Sequence, residues 1–270
     1  MEHIIKSLAP IALLVAGAVV FVLGTAFLLA SDATLASSSG ASSDLAQAGR
    51  WLQFLAAACA MAAVCAAGWK VIVRSELVAS AELGAAALGT LLVTIGLLAS
   101  AATNGSSPAA PVTGAVGIGV WALLVLSRAA RTSLTEHAPA EGPGRQADLW
   151  LTAAIGLFVL AIGYGFTSAA SSRGAGIAAG VLEAIGIAVL GWAVITARSR
   201  RMLNSRPVPG VLAGLALLTL SFLAAAIVAG LALGTLAALA TALTVVTAIE
   251  LAAFAGLGVA AWLQVRAVYR

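Results

Sequence analysis

VPGVLAGLALLTLSFLAAAIVAGL, residues 208–231, runs for 24 positions without a charged side chain. At about 1.5 Å of rise per residue, a helix of that length exceeds the roughly 30 Å of hydrocarbon in a bilayer. Away from water every backbone N–H and C=O must bond within the segment, so such a run is a helix; it also lacks the alternation of a barrel strand. Working outward, comparable apolar runs occupy Leu8–Ala30, Trp51–Val73, Ala81–Ala102, Ala110–Leu126, Leu149–Ala170 and Gly176–Ala197 before it, and Gly234–Val265 after it. The fourth is short, and only a turn near Gly230–Gly234 separates the last two. The sequence predicts an all-α, polytopic transmembrane bundle of eight spans.

Composition agrees with this. Of the residues, 62% are hydrophobic and 9% charged, and mean hydropathy is +1.09. Soluble domains carry about 25% charged residues, so the lipid bilayer must be the solvent for much of this chain. The net charge of +4 comes from basic residues between apolar runs, which suits anionic headgroups and not nucleic acid. With the N-terminus inside, the inner flanks hold Lys6, Lys70, Arg74, Arg128, Arg131, Arg145, Arg198, Arg200, Arg201, Arg206, Arg266 and Arg270, against Arg50 and Arg173 outside. That bias predicts that both termini are cytoplasmic. Arg outnumbers Lys, with abundant Ala and Gly, as in GC-rich bacterial genomes, so a bacterial plasma membrane is expected. The first run exceeds the 7–15-residue core of a secretory signal and is read as a retained span, although Ser31-Asp32-Ala33 has the small-residue character of a cleavage region.

The longest inner connector, Arg128 to Asp148, contains Pro139, Gly142, Pro143 and Gly144. It predicts a four-helix half over 1–130, a connector over 131–148 and a second half over 149–270. The inner ends of the even-numbered spans look alike: Gly68-Trp69-Lys70, Val120-Trp121 leading to Arg128, Gly191-Trp192 leading to Arg198, and Ala261-Trp262 leading to Arg266. Outer ends of three odd-numbered spans also match, at Leu23-Gly24, Ile95-Gly96 and Ile162-Gly163. Four hairpins repeated about an axis along the membrane normal would produce this pattern. So would the general demand for tryptophan and basic residues at inner interfaces, and Trp69, Trp121, Trp192 and Trp262 are read as interface anchors.

Two carboxylates fall inside spans: Glu250 near the middle of the eighth and Glu183 in the outer third of the sixth. A charge at the bilayer centre costs at least about 2.5–3.5 kcal/mol, so such a residue normally faces a bundle interior and marks an ion or proton route. Thr241, Thr244 and Thr247 precede Glu250 at intervals of three, and Thr247 is placed to hydrogen-bond to its carboxyl. Glu183 is read as reaching outward toward Arg173. The competing reading makes Glu250 a neutral interhelical hydrogen-bonding residue. Glu76, Glu82 and Asp148 sit at inner helix starts, where they complement a helix N-terminus or a neighbouring basic residue.

Other chemistry is excluded by what the spans lack. His3 and His137 lie outside them, and Cys59 and Cys65 point about 240° apart on one helix. No metal site, cofactor site, P-loop or nucleophile elbow is present, so an enzyme is not expected. No loop exceeds about twenty residues, too few for a soluble domain. Two functions remain: a small-solute, proton or ion transporter or channel using Glu250, and a non-catalytic subunit packed against other membrane proteins or itself.

Overall fold

The computed structural model describes residues 2–35, 41–73, 77–135, 144–169, 172–199, 208–231 and 235–268. Among these, eight α-helices account for nearly the whole chain: α1 Glu2–Thr34, α2 Ala41–Val73, α3 Leu77–Ala102, α4 Ala109–Thr135, α5 Gly144–Phe166, α6 Arg173–Ser199, α7 Val208–Gly230 and α8 Leu236–Val268. A short 3-10 turn, Thr167–Ala169, extends α5. All eight helices are long and apolar enough to cross a membrane.

Several ends carry their own stop and start signals. Ser172 and Thr235 accept hydrogen bonds from the N–H groups of Ala175 and Ala238, capping the orphan donors of α6 and α8. Pro209 sits in the first turn of α7, where its missing N–H costs nothing. At the end of α3, Asn104 turns left-handed (φ 51°) and Gly105 follows at φ 78°. Their N–H groups return to the carbonyls of Ala101 and Ser100, the paired bonds of a Schellman cap.

Each helix packs antiparallel on its chain neighbours, and α8 closes onto α1, giving one ring of eight. Both chain ends therefore lie at one end of the ring, here the terminal end; the opposite one is the far end. Glycines set the close approaches. A Cβ at Gly24 would stand 2.8 Å from the Gly49 carbonyl oxygen, and one at Gly49 equally close to that of Gly24. Gly89 and Gly117 make the same reciprocal contact between α3 and α4, as do Gly156 and Gly186 between α5 and α6. Small residues let helix backbones touch where lipid offers no hydrophobic drive to associate. Large apolar side chains such as Leu123, Ile227 and Val259 stay more than half exposed, the outward surface a bilayer would cover.

Helix limits depart from the apolar runs in a consistent way. The expected short fourth span is the 27-residue α4, which continues past Leu126 because Arg128 and Arg131 pair with Glu82 of α3 at 2.7 and 2.9 Å. Arg128 also lies over the Trp150 ring of α5, 5.7 Å from its centroid, so α3, α4 and α5 are tied together at the terminal end. Helix takes up both ends of the connector expected over 131–148; its middle, 136–143, lies outside the described residues, as does Glu76.

Candidate functional site: a polar layer inside the ring

Interior side chains recur every three to four residues along a helix, and on α8 that face runs through Thr247, Glu250 and Phe254. On α1 the corresponding face runs through Phe21, Thr25, Leu28 and Asp32. The two faces meet antiparallel. The Thr247 hydroxyl donates to Asp32 Oδ2 at 2.6 Å, and the Phe21 and Phe254 rings meet edge-on with centroids 4.9 Å apart. From α7, fully buried Ser221 donates to Glu250 Oε1 at 3.0 Å, with the Val246 carbonyl oxygen at 3.4 Å.

Glu183 completes this level from α6. It is 7% exposed, and Gly163 of α5 makes room for it: a Cβ there would stand 2.8 Å from the Glu183 nitrogen and 2.9 Å from its Cγ. Glu183 interacts electrostatically with Glu250 and with Tyr164 of α5, and Glu250 does so with Asp32. Arg50 of α2 faces Asp32 and donates to Asn104 Oδ1 at the α3 cap. Six helices thus contribute to one polar level: α1, α2, α5, α6, α7 and α8.

Immediately toward the terminal end the interior is apolar. Ile187, Leu218 and Ala253 form its buried centre, packed by Leu160, Leu190, Leu215 and Phe254 among others. Each of the first three lies three to four residues from Glu183, Ser221 or Glu250, one helical turn below the polar groups. On its α5–α8 side the ring is therefore layered, polar in its far half and apolar in its middle.

Charge balance within the polar layer is uneven. Asp32 has a counter-charge in Arg50 and a donor in Thr247. Glu250 has a hydroxyl donor but no cation among the described residues. No hydrogen bond reaches the Glu183 carboxyl among the described residues. Burying an unpaired carboxylate is expensive, so this pair calls for a proton or cation to neutralise it.

Two side-chain pairings differ from those read in the sequence. Thr247 does not serve Glu250: its hydroxyl is taken by Asp32, which lies across the α1–α8 contact, and Ser221 serves Glu250 instead. Nor does Glu183 reach toward Arg173, which is exposed and ten residues, about 15 Å, further along α6. The threonine stripe is also divided. Thr244 and Thr241 donate to carbonyls of their own helix, Ala240 and Ala237, because spacing by three rotates the stripe off the interior face. Of the tryptophans, Trp192 and Trp262 are 64% and 46% exposed. Trp121 instead packs across Gly89 and lines an open cavity of about 300 Å³ to which α1, α2 and α3 also contribute. The Trp69 side chain lies outside the described ones.

Asp32, Arg50, Tyr164 and Ser221 belong to the layer and were not singled out in the sequence. A signal for two of them existed. Asp32 ends α1, where an anion opposes the helix dipole, and Arg50 is one of only two basic residues on the outer side of the charge split.

The fold and this layer define an integral membrane protein with a polar interior. Compared with protein-family models, curated proteins and solved structures, the chain matches none.

Proposed function

We infer that this protein is a non-enzymatic transporter or channel for protons or small cations, with Glu250 and Glu183 as the groups that bind the travelling charge. The observation that carries this reading is that two carboxyls with no counter-charge among the described residues come to one polar level from α6 and α8, inside a ring whose other buried polar side chains there are Ser and Thr hydroxyls. Intramembrane acids facing a bundle interior commonly mark such routes. The twelve-to-two split of basic residues supports a plasma-membrane orientation with both termini cytoplasmic.

The test is flux of H⁺, Na⁺ and K⁺ into vesicles holding the purified protein, compared with Glu250→Gln and Glu183→Gln. Flux should fall at least about tenfold in each, a loss of about 1.4 kcal/mol or more of stabilisation along the route. Unchanged flux in both variants removes the pair from any mechanism.

A second reading, a subunit of a larger membrane complex, is favoured by a groove of about 480 Å³ along α1 and α8. Val19, Leu23, Val259 and Trp262 line it, an apolar surface that lipid or a partner helix would cover. Extraction in mild detergent should then recover a stoichiometric partner; a protein that purifies alone and transports speaks against it.

A further inference from the structure

If Glu183 and Glu250 bind the travelling charge, that charge needs a way in from water. At the far end a cavity of about 320 Å³ lies between the α3–α4 turn and the end of α5, with Ser106, Ser107, Tyr164, Thr167 and Ser168 among its walls. Three of its hydroxyl hydrogens are already spent. Thr167 donates to the Tyr164 carbonyl, Ser168 to that of Gly165, and Ser106 to that of Thr103. What these groups offer the cavity is oxygen lone pairs. The C-terminal ends of α3 and α5 both finish here, and carbonyl-rich helix ends favour positive charge. The N-terminal end of α4 opposes this weakly, since Pro108 and Pro111 remove two of its N–H groups. Arg50 stands beside Gly105, where a Cβ would come within 3.0 Å of its guanidinium; that charge is matched by Asp32 and held by Asn104.

One wall residue of the cavity also lies beside the helix contact that seats Glu183: Tyr164 follows Gly163, where a Cβ would stand 2.8 Å from the Glu183 nitrogen. Tyr164 lines the cavity, interacts electrostatically with Glu183, and has its ring seated on Gly114 of α4, where a Cβ would lie 2.5 Å from Cε1. We propose that this cavity is the entrance for a hydrated cation or hydronium ion, and that Tyr164 is the positioning residue separating it from Glu183. The proposal deepens the transport reading and rests on it for purpose, but it makes a separate claim about charge and access.

The experiment uses the full chain in vesicles, with Cys59 and Cys65 replaced by Ser. Ser168→Cys is treated with impermeant thiol reagents of similar size, one carrying a trimethylammonium group and one a sulfonate. The cationic reagent should react at least about tenfold faster, the low end of electrostatic steering; equal rates, or a faster sulfonate, overturn the cation entrance. Glu183→Cys should react slowly alone and at least about tenfold faster beside Tyr164→Ala. No gain there, while Ser172→Cys at the exposed far end stays reactive in the same protein, overturns the separating role. These readouts do not depend on flux. Charge-selective labelling with Glu250-independent flux would sink the carrier reading and keep the entrance; the reverse result would sink the entrance alone. Pre-equilibration with H⁺ or with Na⁺ or K⁺ distinguishes the two cation classes, the one bound slowing the labelling of Glu183→Cys beside Tyr164→Ala.

Discussion

Replacing Gly163 by alanine should weaken the fold and the site together. Helix propensity alone favours the change by about 1 kcal/mol, since glycine in a helix interior is that much worse than alanine. Against this, the new Cβ would stand 2.8 Å from the Glu183 nitrogen, 2.9 Å from its Cγ and 3.0 Å from the Leu182 Cβ. A backbone nitrogen cannot turn aside, so relief requires α6 to move off α5. Overpacking of this kind costs about 1–3 kcal/mol, and a backbone contact places it toward the upper end. The expected net loss is about 1–2 kcal/mol, roughly tenfold in the unfolding equilibrium. Gly191→Ala is the control, a helix-interior glycine of the facing α6 with no atom within 4 Å, and should gain up to about 1 kcal/mol. Reversible unfolding in mixed detergent micelles, followed by tryptophan fluorescence, should rank Gly191→Ala at or above the parent and Gly163→Ala below it. Flux through Gly163→Ala should also fall, because the displaced backbone carries Glu183. Equal midpoints for the two variants would refute the close approach from which the placement of Glu183 is argued.

Other changes separate the parts of the layer. Ser221→Ala leaves Glu250 without its donor, and an unsatisfied buried acceptor costs about 1–3 kcal/mol, read as a lower unfolding midpoint. Thr247→Val is nearly isosteric and should cost a similar amount through Asp32; a double variant with Asp32→Asn should cost less than the sum, and strict additivity would mean the two residues do not interact. Glu82→Gln removes a surface pair with Arg128 and Arg131, so it should shift stability by no more than about 1 kcal/mol and leave flux unchanged.

The eight helices were legible because hydrocarbon thickness dictates run length and charge dictates the breaks. Glu250 and Glu183 were legible as acids in the wrong solvent. Their surroundings were not. Thr247 and Asp32 lie 215 positions apart and meet only because α8 closes onto α1, a contact no hairpin periodicity encodes. Asp32 fell two residues beyond the apolar run ending at Ala30, since α1 continues to Thr34 once its carboxyl has partners inside the ring. Trp121 obeys two preferences that look the same in sequence: a tryptophan near a span end suits the interface, and it also fills the notch opposite a glycine. Only the facing helix decides between them.

The layering bears on whether the route is an open pore. From Glu250 to Leu257 the interior face of α8 passes seven residues, about 10 Å, through Ala253 and Phe254 with no polar side chain. A bare ion crossing that depth loses its hydration without replacement, a cost far above thermal energy. If the proposed route crosses this apolar layer, a carrier that rearranges suits it better than a standing channel. Phe254 is the side chain to remove, because it joins the α5–α8 core to Phe21 of α1. Truncation to alanine costs about 3–5 kcal/mol if the site does not collapse, so Phe254→Leu, which keeps most of the volume, accompanies it. In vesicles both should pass cations down a gradient faster than the parent does, Phe254→Ala faster still. The leak should persist in a double variant with Glu250→Gln, since a breached barrier no longer needs the carrier group. If both variants elute as folded, monodisperse protein and hold the gradient as well as the parent, the dry layer is not the barrier.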